Sequence, residues 1–275
     1  MQIAIAALPL FDGRFDRALI YILLRRRTLD GALPTPVLAI SESLGIPFET
    51  TRRHVTALAD DGLCRRTRGG IIATPVAPES TAASFADLSH DVFVRFLIHL
   101  RAIGGLPPYP LSTRSYDRCA GQQVCADLVL SLMHTSAVLF RDRLDLILHA
   151  TVLAANTSRI NADVELSRLY AVHADMPPSR LLRPIRVRRI SQLLGLSEAT
   201  VRRRLQPRFG ETFHNTSGGL LIDEAWIGSV PTMDAVDRSA GDVRRALGAL
   251  ASHGFPFHDI PSAYRRGPPP TIAFG

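Results

Sequence analysis

The sequence predicts a mainly helical α+β protein with small β-hairpins, in which two tandem copies of one unit are joined by a central helical segment. Three observations carry this expectation. First, shifting the 275-residue chain against itself by 150 positions lays Ile40–Leu58 over Ile190–Arg208 with seven of nineteen positions identical. The matches include Leu44 with Leu194, Gly45 with Gly195, Thr50 with Thr200, and Arg52-Arg53 with Arg202-Arg203. Second, the match continues at an offset of 149, where Gly69-Gly70 lies over Gly218-Gly219 and Gly105-x-Pro107 over Gly254-x-Pro256, and at 148 for Tyr116-Asp117-Arg118 over Tyr264-Arg265-Arg266. The repeated unit therefore spans about a hundred residues, which is domain length and too long for a solenoid repeat. Third, apolar residues recur at helical spacing in both copies, interrupted by one short hairpin pattern. With 46% apolar residues and mean hydropathy near zero, the chain is long enough for two cores. The expected divisions are 1–118, a connector at 119–158, and 159–275.

Each copy reads in the same order. Thr35 as N-cap and Pro36 at the first helical position open a short helix, Val37–Leu44, with Val37, Ile40 and Leu44 on one face. Gly45 ends it, and the turn Gly45-Ile46-Pro47 leads to a second helix, about Phe48–Asp61, with Thr51, Val55 and Leu58 inward. Gly62 stops that helix. Leu63-Cys64 and Ile71-Ile72-Ala73 then make a two-stranded hairpin around a basic tip, Arg65 to Gly70, with Cys64 directed into the core. A long amphipathic helix follows, Phe85–Ile103, with Phe85, Leu88, Val92, Phe96, Leu100 and Ile103 at helical spacing, and its counterpart is Met233–Leu250. In the second copy Pro207 is expected to end or kink the second helix early.

Composition excludes several chemistries. All 32 basic side chains are arginine, so a Walker A phosphate loop, a pyridoxal Schiff base and a protein-kinase site have no lysine to use. Phosphate contacts fall to Arg, hydroxyls and backbone. Three cysteines, Cys64, Cys119 and Cys125, match neither a disulfide framework nor a zinc pattern and suggest a reducing cytoplasm. Met1–Leu10 is apolar but too short for a secretory segment, and charge-free Leu128–Phe140 is about two-thirds of a membrane span. The nine histidines are scattered, with His90 and His99 expected on the polar side of one helix, and no HExxH, GxSxG or paired-carboxylate constellation is present. No catalysis, cofactor, metal or membrane contact is expected.

Helix, glycine turn, helix and hairpin wing is the order of a winged helix-turn-helix. Leu44-Gly45-Ile46-Pro47-Phe48-Glu49-Thr50-Thr51-Arg52-Arg53-His54-Val55, closing at Gly62-Leu63, resembles the recognition-helix stretch of bacterial regulators of the MarR, IclR and GntR kind. Leu194-Gly195-Leu196-Ser197-Glu198-Ala199-Thr200-Val201-Arg202-Arg203-Arg204-Leu205 is closer still to that pattern. The resemblance covers about 35 residues per copy and implies double-stranded DNA as partner. Those families usually carry one such domain per subunit and dimerise. A tandem chain departs from them, and their effector domains do not carry over.

Charge points the same way. Between Ser179 and Phe209 lie nine arginines and one acid, a net +8 that exceeds the +7 of the whole chain. Such an excess on a helix-turn-helix is the footprint of a phosphate backbone. The residues placed to face bases or phosphates are Thr50, Arg52 and Arg53 in the first copy and Ser197, Thr200, Arg202, Arg203 and Arg204 in the second. Wing residues Arg65, Arg66 and Arg68 are placed for the minor groove or phosphates, whereas the second wing tip, His214 to Ser217 with Asn215, is uncharged. The plainer readings are a solvated face, an ordinary i, i+4 pair for Glu198 with Arg202, and a helix-dipole role for Arg25-Arg26-Arg27.

Residues 122–156 carry Val124, Leu128, Leu132, Thr135, Leu139, Leu146 and Val152 at mixed three and four spacing, fitting a long helix or helical hairpin that either joins the halves or forms a homodimer seam. The tail from Gly267, with Pro268-Pro269-Pro270, is expected to be extended and poorly ordered. Three functions follow: a sequence-specific transcription regulator in the cytoplasm, associated with the nucleoid; a plasmid or phage replication initiator, which iterons near an origin would distinguish; and a protein interaction scaffold, whose mark is a neutral recognition helix.

Overall fold

Helical periodicity dominates what folds. The computed structural model describes residues 1–29, 31, 34–75, 80–110, 114–140, 142–171 and 177–274. In chain order these form α1 (Gln2–Leu10), α2 (Phe15–Leu29), α3 (Val37–Leu44), α4 (Phe48–Asp60), β1 (Cys64–Thr67), β2 (Gly70–Ala73) and α5 (Thr81–Ala102). There follow α6 (Arg118–Ser136), α7 (Arg143–Asn156), α8 (Ser158–Asn161), α9 (Val164–Leu169), α10 (Val187–Leu194), α11 (Glu198–Leu205), β3 (Phe213–Thr216), β4 (Gly219–Ile222), α12 (Glu224–Ile227) and α13 (Val230–Ser252). Each strand pair is an antiparallel hairpin. No helix among the described residues is long and apolar enough to cross a membrane.

The order α3-α4-β1-β2-α5 recurs as α10-α11-β3-β4-α12-α13, with the four-residue α12 inserted before the long helix. Gly45 and Gly195 end α3 and α10 in the left-handed conformation, with φ of 60° and 64°. The following turn is held the same way in both places, with Ser41 Oγ donating to the Ile46 carbonyl and Ser191 Oγ to that of Leu196. Thr35 is not the expected N-cap. It is 4% exposed and exchanges two backbone hydrogen bonds with Ile71, while Pro36 takes the cap position without a side-chain bond. Ile185 does the same with Leu220. Each hairpin thus gains a third extended partner, and at Gly219, φ 131°, a Cβ would lie 2.5 Å from the Ile185 carbonyl oxygen.

α11 ends at Leu205, and Gln206–Arg208 continues as a 3₁₀ turn around Pro207, as the missing N–H dictates. α5 differs from its expected face. Phe85, His90, Asp91, Phe93, Val94 and Leu97 are buried, whereas Phe96 is 40% exposed. The reason is that α5 is covered by α1, α6 and the 3₁₀ turn at Ile260–Ala263, so the stripe is set by three neighbours rather than by hydrophobicity alone.

The helices of segment 119–158, expected as a connector or a dimer seam, pack on elements of both halves of the chain. α6 packs along α13 and against α2 and α5, burying Val124, Cys125 and Leu128 among Phe93, Val94, Leu97, Leu247 and Leu250. Buried Asp242 of α13 accepts from Ser131 Oγ at 2.6 Å and Thr135 Oγ1 at 2.9 Å. α7 instead packs on β4, α10 and α11. Its Asn156, 1% exposed, donates to the carbonyls of Arg183 and Leu220 and accepts from Ile222 N–H at 2.9 Å. Most apolar residues of both helices are at least half-buried within the chain, while Leu153 of α7 is 38% exposed.

The tail is extended, as expected, but it is fastened. Asp91 accepts the N–H of Arg265 at 2.8 Å and of Arg266 at 2.9 Å, Arg95 donates to the Pro269 carbonyl at 2.9 Å, and Gln2 to that of Pro270 at 2.9 Å. Further along, the Arg189 guanidinium holds the Ala273 carbonyl. The sequence contained no pattern announcing these partners.

Candidate nucleic-acid interface

The nine arginines between Ser179 and Phe209 divide into two groups. Arg180, Arg183, Arg186, Arg188, Arg202 and Arg203 are exposed. Of these, only the Arg202 guanidinium has a partner within the described residues, Glu198 at 3.4 Å, across a pair too exposed to bind firmly. The other three turn inward. Arg204 pairs with Asp142 at 2.8 Å and Asp145 at 3.5 Å, Arg208 lies over the Phe140 ring at 5.6 Å, and Arg189 is taken by the tail. Arg204, expected at a DNA contact, is thus occupied by the start of α7. Burial raises the Asp145 carboxyl above its usual range despite the opposing pull of Arg204.

Ser197 caps α11, accepting from Thr200 N–H at 3.2 Å and sharing a 2.9 Å bond with Thr200 Oγ1. Both hydroxyls serve the helix terminus first. Asn215 is exposed on β3, opposite Leu220.

In the first unit, Arg52 binds Glu49 at 2.9 Å and Arg53 reaches Thr50 Oγ1 at 3.4 Å. Both arginines remain exposed. The hairpin is longer than expected, since β1 runs to Thr67 and only Arg68-Gly69 form the turn. Arg65 and Arg66 are therefore strand residues, and Arg66 donates to Thr56 Oγ1 of α4 at 3.0 Å. Arg65 and Arg68 point outward.

Several other chemistry-bearing groups are buried. His90 is 1% exposed, not on a polar face, with Nε2 2.7 Å from Tyr116 Oη and Nδ1 3.3 Å from Asp91. Burial lowers its pKa against the raising pull of Asp91. His149 sits among Phe140, Phe213 and Trp226, its nearest ring centroid being Trp226 at 4.2 Å, with a buried Nδ1 that has no hydrogen-bond partner among the described residues. Burial, helped by Arg208, lowers its pKa to about 3. Neither histidine was distinguishable in the sequence, because both lie on helices whose burial depends on distant elements. Cys64 and Cys125 are buried thiols, raised by burial to about 11 and about 12, and Cys119 is exposed. Among the described residues no group of three His, Cys, Asp or Glu is placed to hold a metal. A cavity of about 50 Å³ lies between α1, α2, α5 and α6.

No family model, curated protein or solved structure matches the chain.

Proposed function

We propose that the chain is a sequence-specific double-stranded DNA-binding regulator carrying two unlike winged helix-turn-helix units. The observation that carries this reading is the outward set Arg180, Arg183, Arg186, Arg188, Arg202 and Arg203, gathered on one helix pair and the segment leading into it. Guanidiniums on an exposed helix-turn-helix suit phosphate neutralisation, and the bidentate fork of Arg202 or Arg203 suits a guanine edge. The 3₁₀ turn at Pro207 shortens α11, so its reading residues are those of its first two turns, and Arg65 and Arg68 of the first hairpin add an outlying basic contact. Direct recognition would use no cofactor.

The test is binding of the full chain to genomic fragments over a salt series, followed by sequencing of the fragments retained. A log–log slope steeper than about −3 with recurrent sequence enrichment is expected, at about −0.9 per phosphate contact. A salt-independent signal, or none, overturns the reading. Retained repeats clustered at a replication origin would redirect it to an initiator.

A further inference from the structure

Arg25 stands apart from the two arginines that follow it on α2. Arg26 pairs with Asp127 of α6 at 2.7 and 3.0 Å, and Arg27 donates to Ser43 Oγ at 3.0 Å. Arg25 meets no carboxylate among the described residues, and its one contact there is Nη1 to Tyr21 Oη at 3.4 Å, a turn back on the same helix. Tyr21 is 1% exposed, and its hydroxyl accepts that bond while its own proton finds no acceptor among the described residues. A buried donor left unused costs free energy, so the hydroxyl and the adjacent guanidinium are two donors open to one anion. Both side chains line the cavity of about 50 Å³ between α1, α2, α5 and α6. The rest of its wall is mainly apolar, with Ile22, Phe85 and Val129, and its other polar groups are engaged, Ser89 Oγ with the Phe85 carbonyl and Gln122 with Asp87.

We infer that this cavity binds a short aliphatic carboxylate, its carboxylate taken by the Arg25 guanidinium and the Tyr21 hydroxyl and its tail lying among Ile22, Phe85 and Val129. The donors choose the head group. A guanidinium and a hydroxyl proton side by side suit the two oxygens of a carboxylate, whereas an amine is repelled and an alcohol leaves the charge unmet. The chain offers no substitute, since the nearby Asp127 is already held by Arg26. The wall chooses the tail. Its apolar side chains have nothing to offer a second charged group, and the volume has room for about four water-sized groups, which fits a tail of about three carbons. α2, which carries both donors, also packs on α4 and β2, so the occupied cavity adjoins the helix on which the first hairpin unit rests. The inference does not rest on the DNA reading, because it concerns a small ion and the protein alone.

The test is an amide chemical-shift titration of the isotopically labelled full-length protein, free of DNA, with sodium butyrate, beside sodium acetate, butan-1-ol and butylammonium chloride at equal ionic strength. Saturable shifts on α2, α5 and α6 are expected with butyrate, which should bind about tenfold more tightly than acetate for its two additional methylene groups. Butanol and butylammonium should bind more weakly than butyrate. Arg25→Gln and Tyr21→Phe should each weaken butyrate by roughly tenfold, while Arg25→Lys, which keeps the charge, should lose less. Ala126→Leu, which fills the cavity and leaves both donors in place, should erase the preference for butyrate over acetate. Melting midpoints are read for every variant, and the half-buried Arg25 keeps the test decisive should Tyr21→Phe lower stability. No saturable response to butyrate overturns the proposal, as does equal affinity for butanol. Butyrate binding that survives Arg25→Gln, or a preference over acetate that survives Ala126→Leu, also overturns it, since the ion would then sit outside the cavity.

Discussion

Arg204 Nη1 donates to Asp142 Oδ2 at 2.8 Å, across 62 residues of sequence. Asp142 is at the same time the N-cap of α7, accepting from Leu144 N–H at 2.7 Å, so one carboxylate fixes both the start of α7 and the inner side of α11. The next residue, Arg143, reaches the other way to Asp16 of α2 at 3.1 Å and to the Leu44 carbonyl at the end of α3. The turn before α7 therefore ties both helix pairs into one body. Of three consecutive arginines, the third is spent on that tie.

Arg203 and Arg204 should consequently separate in their effects. Arg204→Ala should cost about 1 kcal/mol in urea unfolding, since the pair is one-third exposed and partly screened, and should leave the salt slope of DNA binding unchanged. Arg203→Ala should leave stability within about 0.5 kcal/mol and lower the magnitude of the slope by roughly 0.9 if it holds a phosphate. A reversed assignment would mean that Arg204 leaves Asp142 when DNA binds.

His149 should make the protein acid-sensitive. Its folded pKa, about 3, lies below the unfolded value of 6.5, so the unfolded chain takes up the proton that the folded chain refuses. Stability is complete above about pH 6.5 and falls as pH drops towards 3, with a loss of about 2 kcal/mol between pH 7.5 and 5 from this group. His149→Phe, which keeps an aromatic ring beside Trp226, should remove that part of the pH slope. Parallel wild-type and variant slopes in urea titrations would show that His149 is not buried neutral.

Asp91 should control the tail. Asp91→Ala leaves two backbone N–H groups of Arg265 and Arg266 without their acceptor, at a cost of about 2–4 kcal/mol. Amide exchange should then accelerate over 265–274 while α7, which packs on β4, keeps its protection. Asp91→Asn, which retains an acceptor, should show a smaller change. Uniform loss of protection throughout the chain would instead mean that Asp91 supports the whole core.

The repeated order of helix, glycine turn, helix, hairpin and long helix was legible because each of its signals is local. Gly45 and Gly195 end helices by their own conformational freedom, Pro207 breaks one by its missing N–H, and Val55 or Leu58 faces inward by the 3.6-residue period. The outward set on the second pair was also readable, since charged side chains default to water. Thr35 was misread because a helix cap and a strand bridge demand the same extended backbone, and only the approach of Ile71 selects the bridge.

A cut at 158/159 illustrates the limit. The repeat places it between units, yet α7, just before it, carries Asn156, whose bonds to Arg183, Leu220 and Ile222 bind it to the second hairpin. Sequence period specifies which face of a helix is apolar, but not which distant element meets that face, because burial is shared by groups far apart in the chain. That is why the helix boundaries, the hairpins and the arginine excess follow from local residue chemistry. The burial of His90, the inward turn of Arg204 and the fastening of the tail follow from packing, where a buried carboxylate such as Asp91 must collect whichever donors the folded chain brings within reach.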